Sequence, residues 1–189
     1  MQACATLPRQ SLRLKISMQV LGIIGWSGSG KTTLLTALIP CFQAQGFSVS
    51  TIKHAHHRFE LDQPGKDSFL HRQAGAHEVI VANDAQFALF HEYRQASAFG
   101  LDGLLHRLAP VDLVLVEGFK DDPFPKLEVH RPALGKAPLW PETAVMAVAS
   151  DAILSKCPHP VLPLDQPGAI ADFVIARIGL HKSQSSGVT

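Results

Sequence analysis

Strand-like apolar runs alternating with apolar-periodic stretches predict an α/β fold for this 189-residue chain, a mostly parallel twisted sheet with helices on both faces. Three observations carry the prediction. A buried-type run at 18–24 passes through a glycine-rich loop straight into a helical pattern that begins at Lys31. Two later runs, 111–116 and 144–149, are nearly continuous and aliphatic, as strands covered on both faces are. Two short apolar runs, 78–82 and 86–90, are separated by Asn83-Asp84-Ala85, which predicts an antiparallel hairpin attached at one edge of the sheet.

Taken in order, residues 1–17 carry no long apolar core and no small-residue cleavage pattern, so they are expected as a flexible leader rather than a secretory signal. One nucleotide-binding domain is expected over 18–180, with a flexible tail at 181–189. The first helix should run toward Gln45 and stop at Gly46, with Pro40 removing a hydrogen bond and bending it. A β-branched strand follows at 47–53, then a polar stretch at 54–65 that ends in a Pro64-Gly65 turn and opens a helix from Lys66 to about Ala74. After the hairpin, Phe99, Leu101, Leu104, Leu105 and Leu108 mark an amphipathic helix that Pro110 ends. Residues 111–118 are a strand closed by a carboxylate and a glycine, while 119–141, rich in proline and charge, is expected to be irregular. Strands at 144–149 and 161–164 and a helix at 169–180 complete the chain.

The composition bounds the function. Apolar residues are 46% and charged ones 17%, which fits a globular α/β protein rather than a disordered one. A net charge of +1 gives no electrostatic case for nucleic acid or an acidic membrane surface, and no apolar stretch has the length of a membrane span. Cys4, Cys41 and Cys157 are scattered and odd in number, as expected of a protein in a reducing cytoplasm.

The glycine-rich loop is Gly25-Trp26-Ser27-Gly28-Ser29-Gly30-Lys31-Thr32, followed by Thr33. It fits G-x-x-x-x-G-K-[ST], and its strand–loop–helix setting is the one that motif requires. The chain therefore reads as a P-loop NTPase. Backbone N–H groups at the helix start can wrap a pyrophosphate, Lys31 reaches β- and γ-phosphates, and the Thr32 hydroxyl ligates Mg²⁺.

In such folds ligands lie beyond the carboxyl ends of the strands, where Gly25, Glu117 and Asp151 all fall. Glu117 ends a buried run and is the candidate Mg²⁺ acid; Asp112 lies at the wrong end of the same strand. Asp62 and Asp67 flank the Pro64-Gly65-Lys66 turn. Either carboxylate can reach Mg²⁺ or the attacking water and Lys66 a second anion, or all three can serve as turn and helix-cap chemistry. His54, His56 and His57 suit either a solvated loop, a metal cluster, or a switch segment beside the nucleotide.

Together these stretches resemble one family: the molybdenum-cofactor guanine-dinucleotide biosynthesis adaptors, the MobB proteins. The match runs through the P-loop, Ile52-Lys53-His54-Ala55-His56-His57, Asp62-Gln63-Pro64-Gly65-Lys66-Asp67-Ser68, Ala74-Gly75-Ala76, Leu113 to Lys120, and Ala147 to Asp151, covering roughly 18–180. The resemblance implies a GTP-binding homodimer with Mg²⁺ and weak GTPase activity. It also implies partnership with the guanylyltransferase that joins GMP to molybdopterin, with molybdopterin itself as a candidate ligand. Of the Asn-Lys-x-Asp that ordinary GTPases use for guanine, Val148-Ala149-Ser150-Asp151 retains only the acid, Asp151. Two rivals stay open: a P-loop small-molecule kinase and a nickel-insertion-type GTPase.

Overall fold

A computed structural model describes residues 18–55, 59–94 and 98–182. The expected leader at 1–17, and most of the expected tail, lie outside the described residues, as do His56 and His57. The elements run β1 (Gln19–Ile24), α1 (Lys31–Ala44), β2 (Val49–Lys53), α2 (Asp67–Gln73), β3 (Glu78–Ala82), β4 (Phe87–His91), α3 (Leu101–Leu105), β5 (Leu113–Glu117), β6 (Lys126–His130), β7 (Ala147–Ser150), β8 (Val161–Pro163) and α4 (Pro167–Ile178). A 3₁₀ turn, Pro132–Leu134, follows β6.

Six strands form one sheet in the order β2-β5-β1-β6-β7-β8, and every pairing in it is parallel. The order places β1 centrally and reverses direction of travel on either side of it, which opens a crevice at its carboxyl end. Alternation along the strands divides the core. Leu21 and Ile23 of β1, Leu113 and Leu115 of β5, and Leu127 and Val129 of β6 pack in one cluster with Leu34, Leu38 and Phe42 of α1 and Ile170 and Val174 of α4. On the opposite face Val114 and Val116 pack with Leu101 of α3, and Ile24 and Val148 lie under Leu139 and Trp140. The second face is thus covered by one short helix and two irregular segments.

Several expectations meet their structure here. α1 continues through Pro40 to Ala44, and Gly46 sits at φ 83° just beyond, the left-handed geometry that ends helices. The amphipathic helix expected from Phe99 is shorter, five residues long. The hairpin forms, but it stands apart as its own two-stranded sheet instead of joining an edge. Its β3 packs against α2, and that alternative support is what frees it from the main sheet.

The larger correction lies in 119–141. The segment holds β6, all five residues buried, paired between β1 and β7. Lys126, Glu128 and His130 alternate with Leu127 and Val129, so the strand carries a charged row on a covered face. Apolar runs reveal central strands, and this one has none. Among the described residues no helix is long and apolar enough to cross a membrane, and Cys41 and Cys157 are free thiols.

Candidate nucleotide-binding site

The glycine-rich loop leaves β1 at Gly25 (φ 145°) and turns at Gly28 (φ 79°) and Gly30 (φ 96°). A Cβ on Gly25 would lie 2.4 Å from the Val129 carbonyl oxygen, so the loop can cross β6 this closely only with glycine. Ser29 N–H donates to the Trp26 carbonyl at 3.1 Å, closing the loop, and Leu34 N–H to Gly30 at 2.9 Å starts the helical ladder. The N–H groups of the first turn of α1 have no acceptor within the helix, and a helix start of this kind suits an anion. Ser27 and Gly28 form the exposed tip. Ser29 Oγ is buried with no partner.

Lys31 Nζ donates back to the Trp26 carbonyl at 2.9 Å. Burial draws its ammonium below the usual lysine range, and the Glu117 carboxylate pulls the other way. A lysine held over the loop with part of its hydration removed is poised for phosphate oxygens. Thr32 Oγ1 lies 3.3 and 3.5 Å from the two Glu117 oxygens, and Lys53 Nζ lies 3.5 Å from Oε2. The hydroxyl from α1 and the carboxylate from β5 therefore converge as hard oxygen donors at the loop's mouth, a set that fits Mg²⁺. Thr33 stays in the first turn, its carbonyl accepting from Thr36 Oγ1 at 2.9 Å.

Asp62 does not belong to that set. Its oxygens accept from Gln63 N–H at 3.0 Å and Ser68 Oγ at 2.9 Å and pair with Arg72 at 3.4 Å, and Arg72 also holds Glu60 and Glu92. These partners tie Asp62 to the start of α2. Lys66 is the residue capping α2, and Asp67 lies in its first turn. His54 follows β2, accepts its place through an N–H bond to the Glu117 carbonyl at 2.8 Å, and stacks on Phe119 with ring centroids 4.7 Å apart. Among the described residues no three His, Cys, Asp or Glu side chains are grouped to hold a metal ion.

Asp151 stands just past β7, half exposed, and its Oδ2 lies 3.4 Å from Arg131. Arg131 also donates from Nε to the Ser29 carbonyl at 3.0 Å, and its guanidinium lies against Gly30. It thus links the phosphate loop to the acid. The signal that finds Arg131 is its position at the carboxyl end of β6, invisible while that strand was unrecognised. Trp26 is likewise pinned from β6's far side, its indole N–H donating to the Ala137 carbonyl at 2.7 Å.

The model of the family described as molybdopterin guanine dinucleotide synthesis protein B matches residues 20–151, from β1 through Asp151. The chain belongs to the MobB family. It is 42% identical over 157 residues to the molybdopterin-guanine dinucleotide biosynthesis adapter protein of Haemophilus influenzae, covering 82% of this chain and 86% of that one. The Escherichia coli adapter protein is 39% identical over 165 residues, 85% of this chain and 94% of its own. A solved MobB homologue from Bacillus stearothermophilus overlays with a TM-score of 0.66 at 26% identity, covering 87% of this chain and all of that one. Bacillus subtilis MobB overlays with a TM-score of 0.68 at 23% identity, over 85% of this chain and 98% of its own, a likeness of fold.

Proposed function

We propose that this MobB-family chain is a cytoplasmic, GTP-binding adapter in molybdopterin-guanine dinucleotide assembly. It binds GTP with Mg²⁺, hydrolyses it weakly, and works as a homodimer beside the guanylyltransferase that attaches GMP to molybdopterin. The observation that carries the reading is the meeting of Thr32 Oγ1 and the Glu117 carboxylate, 3.3 Å apart at their nearest, at the mouth of a loop whose lysine is already in place. The adapter names of the relatives support the pathway.

In this reading the loop N–H groups and Lys31 bind the phosphates, and Thr32 and Glu117 hold the ion, whose charge offsets that of the β- and γ-oxygens. Glu117 is engaged by Thr32 and Lys53, so it orients donors instead of taking a proton from water, and slow turnover follows. Asp151 offers a carboxylate to the N1–H and 2-amino group of guanine, which adenine lacks. The kinase alternative, which calls for an arginine-rich lid over the phosphates, draws little support: Arg131 donates to the Ser29 carbonyl of the glycine-rich loop itself.

The test is calorimetric titration with GTP and Mg²⁺, followed by phosphate release with and without added acceptors and co-elution with the guanylyltransferase. Lys31→Ala removes a charge-assisted contact worth roughly 1.5–3 kcal/mol, so affinity should fall about ten- to a hundred-fold in a folded variant. Unchanged GTP affinity would remove the phosphate-loop assignment, and transfer of phosphate to an acceptor would favour the kinase.

A further inference from the structure

Two consecutive residues after β5 hold left-handed backbone, Gly118 at φ 102° and Phe119 at φ 50°. Phe119 is the one residue outside glycine with positive φ among the described residues. A bulky residue there is strained by about 1–2 kcal/mol and persists where its surroundings demand it.

Both residues meet the same side chain. A Cβ on Gly118 would lie 2.8 Å from the Cβ of His54, so the two strand ends approach this closely only with glycine. The Phe119 ring stacks on the His54 imidazole, with centroids 4.7 Å apart and planes inclined by 32°. The His54 N–H donates to the Glu117 carbonyl at 2.8 Å, which fixes the backbone beneath the ring. Parallel pairing sets Lys53 opposite Glu117, so His54 is the first residue past β2, level with the acid that ends β5. Three separate constraints thus seat one exposed imidazole at the nucleotide site.

The imidazole lines one cleft with Lys31 and Glu117. A water that attacks a γ-phosphate there needs a hydrogen-bond acceptor to aim its oxygen at phosphorus. Lys31 can only donate. The Glu117 carboxylate is engaged by Thr32 and Lys53. The Trp26 indole N–H, a donor only, is held by Ala137. Asp121 and Asp122 also border the cleft, and their charges act on the Lys126 ammonium. A neutral imidazole nitrogen supplies the acceptor.

We propose that His54 is the catalytic residue that orients the attacking water in GTP hydrolysis, with Phe119 as the positioning residue that holds its ring. This rests on the GTP reading of the loop and adds to it the group that meets the nucleophile. The water oxygen forms its bond to the γ-phosphorus as the bond to the β–γ bridging oxygen breaks. That oxygen keeps the electron pair and leaves with GDP. One water proton passes to a γ-phosphate oxygen and the other stays on the transferred oxygen, so the second product is dihydrogen phosphate. His54 accepts a hydrogen bond throughout and takes no proton.

The test uses the full chain with Mg²⁺. Binding is read by calorimetric titration with GTPγS, and hydrolysis by phosphate release from GTP in single turnover. His54→Phe keeps a flat ring on Phe119 and removes both nitrogens. Its hydrolysis should slow roughly tenfold or more, as a lost orienting hydrogen bond implies. Its GTPγS affinity should stay within about threefold. His54→Gln keeps an acceptor and should hydrolyse faster than His54→Phe. A second readout needs no turnover: the His54 ring signals in proton NMR, assigned by their loss in either variant, should move more on GTPγS than on GDP. The proposal is overturned if His54→Phe hydrolyses at the wild-type rate, or loses GTPγS affinity in step with hydrolysis. It is also overturned if the wild type binds GTPγS yet releases no phosphate from GTP, or if GTPγS and GDP move the ring signals alike. Failure of the P-loop reading shows separately, as no GTPγS binding by the wild type, and takes the His54 role with it.

Discussion

Thr32 Oγ1 stands 3.3 Å from Glu117 Oε2 and 3.5 Å from Oε1, tying the first turn of α1 to the carboxyl end of β5 across 85 residues of chain. Parallel pairing of β1 with β5, Ile23 opposite Glu117, is what brings them together. The hydroxyl and carboxylate are in register without a ligand.

Glu117→Gln keeps the size and the Thr32 contact but removes the charge that favours a divalent ion. Hydrolysis followed over a Mg²⁺ series should shift to higher Mg²⁺ by roughly tenfold or more, given the 1.5–3 kcal/mol of a charged contact, while metal-free nucleotide binding changes little. Coincident wild-type and variant curves would make Glu117 a structural strand end.

Asp151→Asn exchanges one acceptor for a donor. Guanine then loses a partner while xanthine, which keeps N1–H but carries a 2-carbonyl, gains one. Competition among GTP, ATP and XTP should show GTP weakened about tenfold or more and XTP strengthened. The Arg131 pair is half exposed and so contributes little on its own; an unaltered order of preference would leave Asp151 as Arg131's partner alone.

Glu128 supplies a pH dependence of stability. Burial raises its carboxyl above the usual glutamate value, and the Leu139 N–H opposes that rise. Between the ordinary value, about 4.3, and the raised one, the folded chain holds a proton that the unfolded chain has lost. Its contribution is complete below the ordinary value and is lost as pH rises through the raised one. Glu128→Gln, which keeps a carbonyl for Leu139, should flatten the fall of Tm with rising pH above about 4.3. Parallel wild-type and variant profiles would contradict it.

The proposed homodimer has a surface to use. Ile80, Phe87 and Leu89 share one face of the β3–β4 hairpin and are 64%, 73% and 41% exposed. Contiguous apolar side chains on an isolated two-stranded sheet are costly to leave in water. Phe87→Glu together with Leu89→Glu should convert a dimer into a monomer in sedimentation equilibrium, with the P-loop domain still folded. A dimer that survives both charges would place the contact elsewhere, and a monomeric wild-type chain would overturn the homodimer.

How much of this was legible in the chain varies with the range of the interactions. The P-loop was readable because each requirement is local: positive φ supplied by Gly25, Gly28 and Gly30, a strand before them and a helix after. Glu117 was readable because an aliphatic run announces a buried strand and the acid closes it. The ion pair of Asp62 was not, because it depends on Arg72, ten residues on.

The sequence by itself determined the α/β class, the glycine-rich loop between its strand and helix, the acid that ends the neighbouring strand and the family, since apolar periodicity and backbone freedom are written residue by residue. Only the tertiary structure decided where β6 lies, that Arg131 joins the loop to Asp151, that the hairpin stands alone, and that Phe119 lines the cleft beside the loop. The physical reason is one of partners. Lys126 and Glu128 read as solvent-facing charges until the carbonyls of Asp122 and Phe124 take up the ammonium and the Leu139 N–H meets one carboxylate oxygen, out of water.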